Sequence, residues 1–229
     1  DRWQVHYHSP KNQQSSYKSS PVIILANGYD ALALLNNIPF PLRAVRGQVA
    51  RFLPTEKTAK LQSIIAAQTY ITPADNDGYH CLGASFIPDD LATDIRLTEH
   101  ESIRTTLATM LPALETDLEP CPQWLGRSSI RCQSEDYLPL IGRLASPSNI
   151  AQHYAGLRDG KLHDYPLLQP IEGLYINLAY GSHGFSYALL GAEILASELN
   201  NEPAPCARTT LENLNPIRFF IRQLKRGKI

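Results

Sequence analysis

The sequence predicts a mixed α/β and α+β protein of two interleaved parts, an α/β layer with a mostly antiparallel sheet inserted into it. Three observations predict this. Pro21-Val22-Ile23-Ile24-Leu25-Ala26 is a continuous apolar run closed by Asn27-Gly28, the pattern of a strand buried on both faces of a parallel sheet. Gly173 to Leu199 reads as an apolar strand, a turn Gly181-Ser182-His183-Gly184, and a small-residue helix containing Glu193. Between these regions, short strand-like segments separated by turn residues occupy Gln48 to Ser85. The expected division is 1–45 with 143–229 for the α/β part and 46–142 for the sheet-rich part.

In chain order, Asp1 to Tyr7 alternates Trp3, Val5 and Tyr7 against polar residues, the period of a strand. It reads as a strand already in progress, so the sequence is expected to be a fragment lacking an upstream part. A polar, hairpin-like stretch follows from Ser9 to Ser20. After the apolar run come Leu42-Arg43-Ala44-Val45-Arg46-Gly47-Gln48-Val49 and strands expected at Gln48–Phe52, Gln68–Thr72 and His80–Ser85, with Pro73 to Gly78 the clearest turn. Ile103, Leu107 and Leu111 are spaced by four, and Thr98-x-x-Glu101 reads as a capping box opening that helix. Trp124 to Cys132 returns to strand character, and Ser146 to Pro170 reads as irregular and polar.

A chain of 229 residues is long enough for one large core or two modest ones. A net charge of −1 excludes a globally basic nucleic-acid binder, but the ending is uneven. Arg218, Arg222, Lys225, Arg226 and Lys228 occur with no acid after Asn215. Arg218, Arg222 and Lys225 or Arg226 fall on one helical face beside Phe219, Phe220 and Leu224, which suits phosphate contacts. Cys81, Cys121, Cys132 and Cys206 show no CxxC pairing, so a reduced, cytoplasmic protein is expected. No apolar run reaches the ~18 residues of a membrane-spanning helix, and no signal peptide is legible at the start.

Several residues stand out chemically. Arg131, in Ser129-Ile130-Arg131-Cys132, is a guanidinium in a largely apolar strand, where it needs an anion. A substrate carboxylate and an ion pair with Asp136 both satisfy that need. In Arg46-Gly47-Gln48 the glycine permits close backbone approach, and Gln48 offers a donor and an acceptor. A Gly turn opening a helix places unpaired N–H groups where they meet an anion or an electron-rich ring, and His183 in that turn is placed to face a ring or a substrate. Tyr70 and Tyr79 flank a turn and are candidates to line a pocket. His6 and His8 alternate on one strand face without a third ligand, so no metal site is expected. There is no Gly-x-Ser-x-Gly elbow, P-loop or HExxH.

Taken in order, Val22-Ile-Ile-Leu-Ala-Asn-Gly28, Arg46-Gly47-Gln48, Gly83-Ala-Ser85, Ile130-Arg131-x4-Asp136-x-Leu-Pro-x-Ile-Gly142 and Gly181-Ser-His-Gly184-x6-Gly191-Ala-Glu-Ile-Leu-Ala196 resemble the FAD-dependent amine and amino-acid oxidases of the D-amino-acid oxidase superfamily. Within it, the likeness is greatest to the C-terminal flavin oxidoreductase part of the bifunctional tRNA 5-methylaminomethyl-2-thiouridine biosynthesis proteins. It covers about Val22 to Ile229.

The resemblance implies a partial FAD-binding layer and a substrate-binding sheet. It also implies FAD-dependent oxidation of the secondary amine in 5-carboxymethylaminomethyl-uridine at the tRNA wobble position. Arg131, His183 and Tyr70 are then the candidate catalytic residues, with Arg131 on the substrate carboxylate. Asn27, Gly28, Arg46, Gly47, Gln48, Gly181, Ser182, His183 and Gly184 are the candidate cofactor-binding ones. The implied partners are tRNA and a methyltransferase domain of the same polypeptide, where S-adenosylmethionine would bind. A small amino-acid oxidase of the glycine oxidase kind, or an inactive interaction fragment, are the alternatives. The family grips the ADP moiety of FAD through Gly-x-Gly-x-x-Gly, a motif absent from these residues.

Overall fold

The computed structural model describes residues 2–9, 15–35, 38, 40–114, 117–118, 120–160, 165 and 168–228. In chain order the elements are β1 (Trp3–His8), β2 (Ser15–Ser20), β3 (Ile23–Leu25), α1 (Ala31–Leu34), β4 (Leu42–Phe52), β5 (Ile65–Ala66), β6 (Tyr70–Ile71), β7 (His80–Gly83), β8 (Ile87–Pro88), α2 (Leu97–Met110), β9 (Leu125–Ser134), β10 (Leu140–Ala145), α3 (Pro147–His153), β11 (Pro170–Leu178), α4 (Gly184–Asn200), α5 (Arg208–Leu214) and α6 (Ile217–Lys225). Asp1 and residues 10–14 of the expected hairpin lie outside the described residues. The chain forms two compact units, Asp1–Arg43 with Cys132–Ile229, and Ala44–Arg131. The boundary therefore falls earlier than the expected 142/143.

In the first unit β10, β11 and β3 form a sheet in that order. β11 runs antiparallel to β10 and parallel to β3. The apolar run at Pro21 gives only the short edge strand β3, and Ile24 is 41% exposed, so the expected burial on both faces does not hold. β3 pairs on one side only, with β11, among the described residues. Leu140, Leu144, Ile176 and Leu178 pack with Phe219, Phe220 and Leu224 of α6 in one core. On the other side Ile141 and Tyr175 meet Ile194 and Leu195 of α4. Gly191 allows that approach, because a Cβ there would collide with the Tyr180 hydroxyl.

The stretch after Ser146 is not irregular, since α3 occupies Pro147–His153 with Ile150 fully buried. Ser146 precedes it and Pro147 opens it, a helix-start signal because the N–H that proline lacks would have no helical partner at that position.

In the second unit a six-stranded sheet runs β5-β6-β7-β4-β8, with β9 also pairing to β4. β4 is the spine, antiparallel to β7 from Val49 to Phe52 and to β8 at Val45 and Arg46. Ala50, Phe52, Ile71 and Leu82 pack with Ile103 and Leu107 of α2 and with Trp124.

The expected capping box does not start α2. Its N-cap is Arg96, with no side-chain cap, and Thr98 and Glu101 lie inside the helix. The start is set from β4 instead. Gln48 Oε1 accepts the Arg96 N–H at 2.9 Å and Gln48 Nε2 donates to the Arg96 carbonyl at 2.8 Å. A tertiary amide here does the work of a local cap.

Candidate active site

The sequence-predicted residues separate by unit. Arg46, Gly47, Gln48, Tyr70 and Arg131 belong to the second, and Asn27, Gly28 and Gly181 to Gly184 to the first.

In the second unit Arg46 is fully buried, and its guanidinium is spent internally. Nε donates to Glu99 at 2.7 Å, Nη2 to Gln48 Oε1 at 2.8 Å and to the Asp94 carbonyl at 2.6 Å, and Nη1 to the Ala92 carbonyl. Ser85 completes the node, donating from its hydroxyl to Glu99 and accepting the Gln48 N–H at 2.8 Å. The Arg46 and Gln48 side chains, expected beside a cofactor, are therefore structural. The face of Gly47 is covered by the Arg131 guanidinium. Glu99 and Ser85 were missed as partners; the signal was an arginine in a strand that is otherwise buried.

Arg131 is placed differently. A Cβ at Gly47 would fall inside its guanidinium, so the glycine makes the seat on which the planar group lies. Nη1 donates to the carbonyls of Ser85 at 3.2 Å and Arg46 at 3.4 Å. Among the described residues no carboxylate pairs with it, and Asp136 is engaged elsewhere. Burial pulls its pKa down, and the Tyr70 phenol opposes that. Burial likewise raises the Tyr70 pKa, helped by the Cys81 thiol and countered by Arg131. The unit thus brings Tyr70 and Arg131 within electrostatic reach of each other, around a cation that lacks an anion.

In the first unit Gly28 and Gly181 take left-handed φ values of 66° and 56°. The Gly181 N–H donates to the Cys132 carbonyl at 2.8 Å, and a Cβ on Gly28 would meet Cys132 Cβ at 3.9 Å. Both turns therefore close against the same residue of β9. Burial pushes the Cys132 thiol up to about 11, partly offset by the Ala179 backbone, which keeps it protonated and unreactive. Asn27 is exposed and makes no side-chain cap. Ser182 and His183 are exposed at the start of α4. His183 is the N-cap without a side-chain cap bond, and its ring lies 5.6 Å from Tyr187. The Ser186 and Tyr187 N–H groups donate to the His183 carbonyl at 3.1 Å, which leaves the Gly184 and Phe185 N–H groups at this end of the helix without a backbone partner among the described residues.

The basic ending does not behave as expected. Arg218 is 9% exposed and grips Asp136 in bidentate fashion, Nη2 to Oδ1 at 2.8 Å and Nε to Oδ2 at 3.0 Å. Arg222 Nη1 adds a contact to Asp136 at 2.5 Å. Burial raises the Asp136 pKa, but hydrogen bonds from both arginines outweigh it and hold the carboxyl far below its usual range. These two cations are structural, with Asp136 as their shared partner.

The family model described as DAO, FAD dependent oxidoreductase, matches residues 1–198. The tRNA 5-methylaminomethyl-2-thiouridine biosynthesis bifunctional protein MnmC of Pseudoalteromonas atlantica is 33% identical over 234 aligned positions, covering 100% of this chain and 33% of that protein. The MnmC of Pseudomonas fluorescens is 38% identical over 218 positions, 92% of this chain and 32% of that protein. The chain thus spans about a third of the length of these relatives.

Among solved structures, glycine oxidase from Geobacillus kaustophilus superposes with a TM-score of 0.63 at 18% identity, over 89% of this chain and 47% of that one. L-Proline dehydrogenase from P. horikoshii gives 0.62 at 15%, over 98% and 51%. At those identities the structures establish the fold alone. With the family model matched along most of its length, the chain belongs to the DAO family of FAD-dependent oxidoreductases.

Proposed function

We propose that this chain is the part of a tRNA-modifying flavoenzyme that binds the carboxylate of a 5-carboxymethylaminomethyl-uridine and directs oxidation of its secondary amine. The observation that carries this reading is Arg131, a half-buried guanidinium seated on Gly47 with no carboxylate among the described residues to pair with. A planar cation with free donors suits a carboxylate approaching side-on. Its seat is rigid, because the two carbonyls beneath it belong to residues locked by the Arg46–Glu99–Ser85 node.

The family implies FAD, and the first unit has groups that fit it. The turn Gly181 to Gly184 is pinned to Cys132 through the Gly181 N–H, and the Gly184 and Phe185 N–H groups at the start of the seventeen-residue helix have no backbone partner among the described residues, which suits the electron-rich edge of a flavin ring. Gly28 and Asn27 lie on the cofactor side of this reading. Bound flavin supplies the two-electron acceptor. The protein's own contribution is positioning: Arg131 fixes the carboxylate, and with it the adjacent carbon whose C–H bond is broken. The Tyr70 phenol, held protonated by burial, remains a hydrogen-bond donor beside that carboxylate. Oxidation converts the amine to an imine, and water releases the two-carbon oxo acid and leaves an aminomethyl group. A methyltransferase part of the same polypeptide, using S-adenosylmethionine, then acts on that amine in this reading.

The test is Arg131→Ala in the full-length flavoenzyme. KM for the carboxymethylaminomethyl substrate is expected to rise about a hundredfold, the loss of one charge-assisted bidentate contact. An unchanged KM removes Arg131 from the site. Offering free glycine beside the modified nucleoside separates this reading from a small amino-acid oxidase.

A further inference from the structure

The alternation of β9 identifies a second cation on the face that carries Arg131. Successive strand residues point to opposite faces, and Gly126 faces α2, since a Cβ there would meet His100 Nε2 at 2.7 Å. Gly126, Ser128 and Ile130 therefore belong to the α2 face, and Leu125, Arg127, Ser129 and Arg131 to the other. Exposure follows the same parity: Leu125, Arg127 and Ser129 are exposed and Gly126 and Ser128 are not. Arg127 has no hydrogen bond or ion pair among the described residues, whereas Arg51 on β4 is engaged by Asp75 and Asp77 at 2.6 and 3.4 Å. At 3.3 Å per residue Arg127 and Arg131 stand about 13 Å apart along one strand, with the Ser129 hydroxyl between them.

We propose that Arg127 is a backbone-phosphate contact for the polynucleotide substrate, with Ser129 beside it, and that this strand face is the RNA-binding track of the second unit. The inference rests on the reading that Arg131 takes the carboxylate at the tip of the uridine substituent. The base and ribose then extend away from Arg131, and the phosphates of that nucleotide lie at the far end. A second unpaired guanidinium one base-and-sugar length away on the same face is suited to them, because its planar fork matches phosphate as well as carboxylate. The contact is a positioning one and needs no base recognition. It also replaces the expected phosphate role of Arg218 and Arg222, which Asp136 occupies.

The experiment is a fluorescence-anisotropy titration of a labelled tRNA anticodon stem-loop onto this chain, wild type, Arg127→Glu and Arg127→Lys, at several salt concentrations. Thermal unfolding checks that each variant is folded. Arg127→Glu is expected to weaken binding about tenfold and to lower the slope of log affinity against log salt by about one, while Arg127→Lys keeps most of both. Equal affinities and slopes for wild type and Arg127→Glu overturn the proposal. So does a wild-type chain that binds no RNA at low salt, which would mark the face as one for an acidic protein surface. Oxidation of the free modified nucleoside by the full-length enzyme reports on the parent reading alone. If Arg131→Ala leaves that reaction unchanged, the reading fails whatever the RNA result.

Discussion

Gly47 carries no side chain, and that is its contribution to the site. The Arg131 guanidinium lies where a Cβ would be, so Gly47→Ala must displace the far end of a flexible side chain and leave the backbone where it is. Stability is expected to change little, since strand alanine is no worse than strand glycine. Affinity for the carboxylate is expected to fall, with KM for the modified nucleoside rising about tenfold, the loss of one well-aimed charged hydrogen bond. Steady-state kinetics beside a thermal melt check the split. A melting temperature that collapses with unchanged KM would show that the glycine serves the strand and not the arginine. Arg46 and Arg131 look alike in the sequence, each a cation in an apolar strand. They differ because Glu99, fifty-three residues away, reaches one and nothing comparable reaches the other. Local pattern cannot assign a partner at that separation, which is why the need for an anion was legible at Arg131 while Glu99 as the partner of Arg46 was not.

At the scale of elements, α2 begins where β4 tells it to. Gln48 occupies both backbone groups of Arg96, so Gln48→Ala leaves an N–H and a carbonyl unpaired near the buried Arg46. The expected cost is about 1–3 kcal/mol in urea unfolding of the second unit. Thr98→Ala, which would cost about 1 kcal/mol if Thr98 were the cap, is expected to change stability by less than about 0.5 kcal/mol. A Thr98 effect as large as the Gln48 effect would restore the capping box. The sequence showed a Thr-x-x-Glu at the right place because polar residues also suit an exposed helical turn, and Thr98 and Glu101 are exposed. The strand, turn and helix at Gly173 to Leu199 were legible for the opposite reason. There the left-handed φ of Gly181 favours glycine and the close approach at Gly191 leaves no room for a Cβ, so composition and conformation coincide. α3 was missed although Ser146-Pro147 marks its start; seven residues carry too little periodicity to stand out from a polar stretch.

At the scale of the whole molecule, the division into two units assigns the recognised motifs unequally. The first unit holds the turns at Gly28 and Gly181, both closed on Cys132, and the clamp in which Arg218 and Arg222 reach back more than eighty residues to Asp136. That clamp ties α6 to the segment between β9 and β10, so the ending of the chain is part of the fold. None of this supplies a grip for a pyrophosphate. No Gly-x-Gly-x-x-Gly occurs in the 229 residues, and the sheet of the first unit ends at β3, with its outer edge unpaired among the described residues. In dinucleotide folds that glycine turn and the helix behind it hold the phosphates, and most of the affinity follows from those contacts. The purified 229-residue polypeptide is therefore expected to bind FAD weakly, with a flavin-to-protein absorbance ratio far below one after gel filtration. A full-length relative spanning the remaining two thirds is expected to retain it. A stoichiometric yellow complex of this chain alone would mean that the ring-side turn and the open edge of β3 suffice to hold the cofactor, and would relocate the phosphate site to groups among these residues.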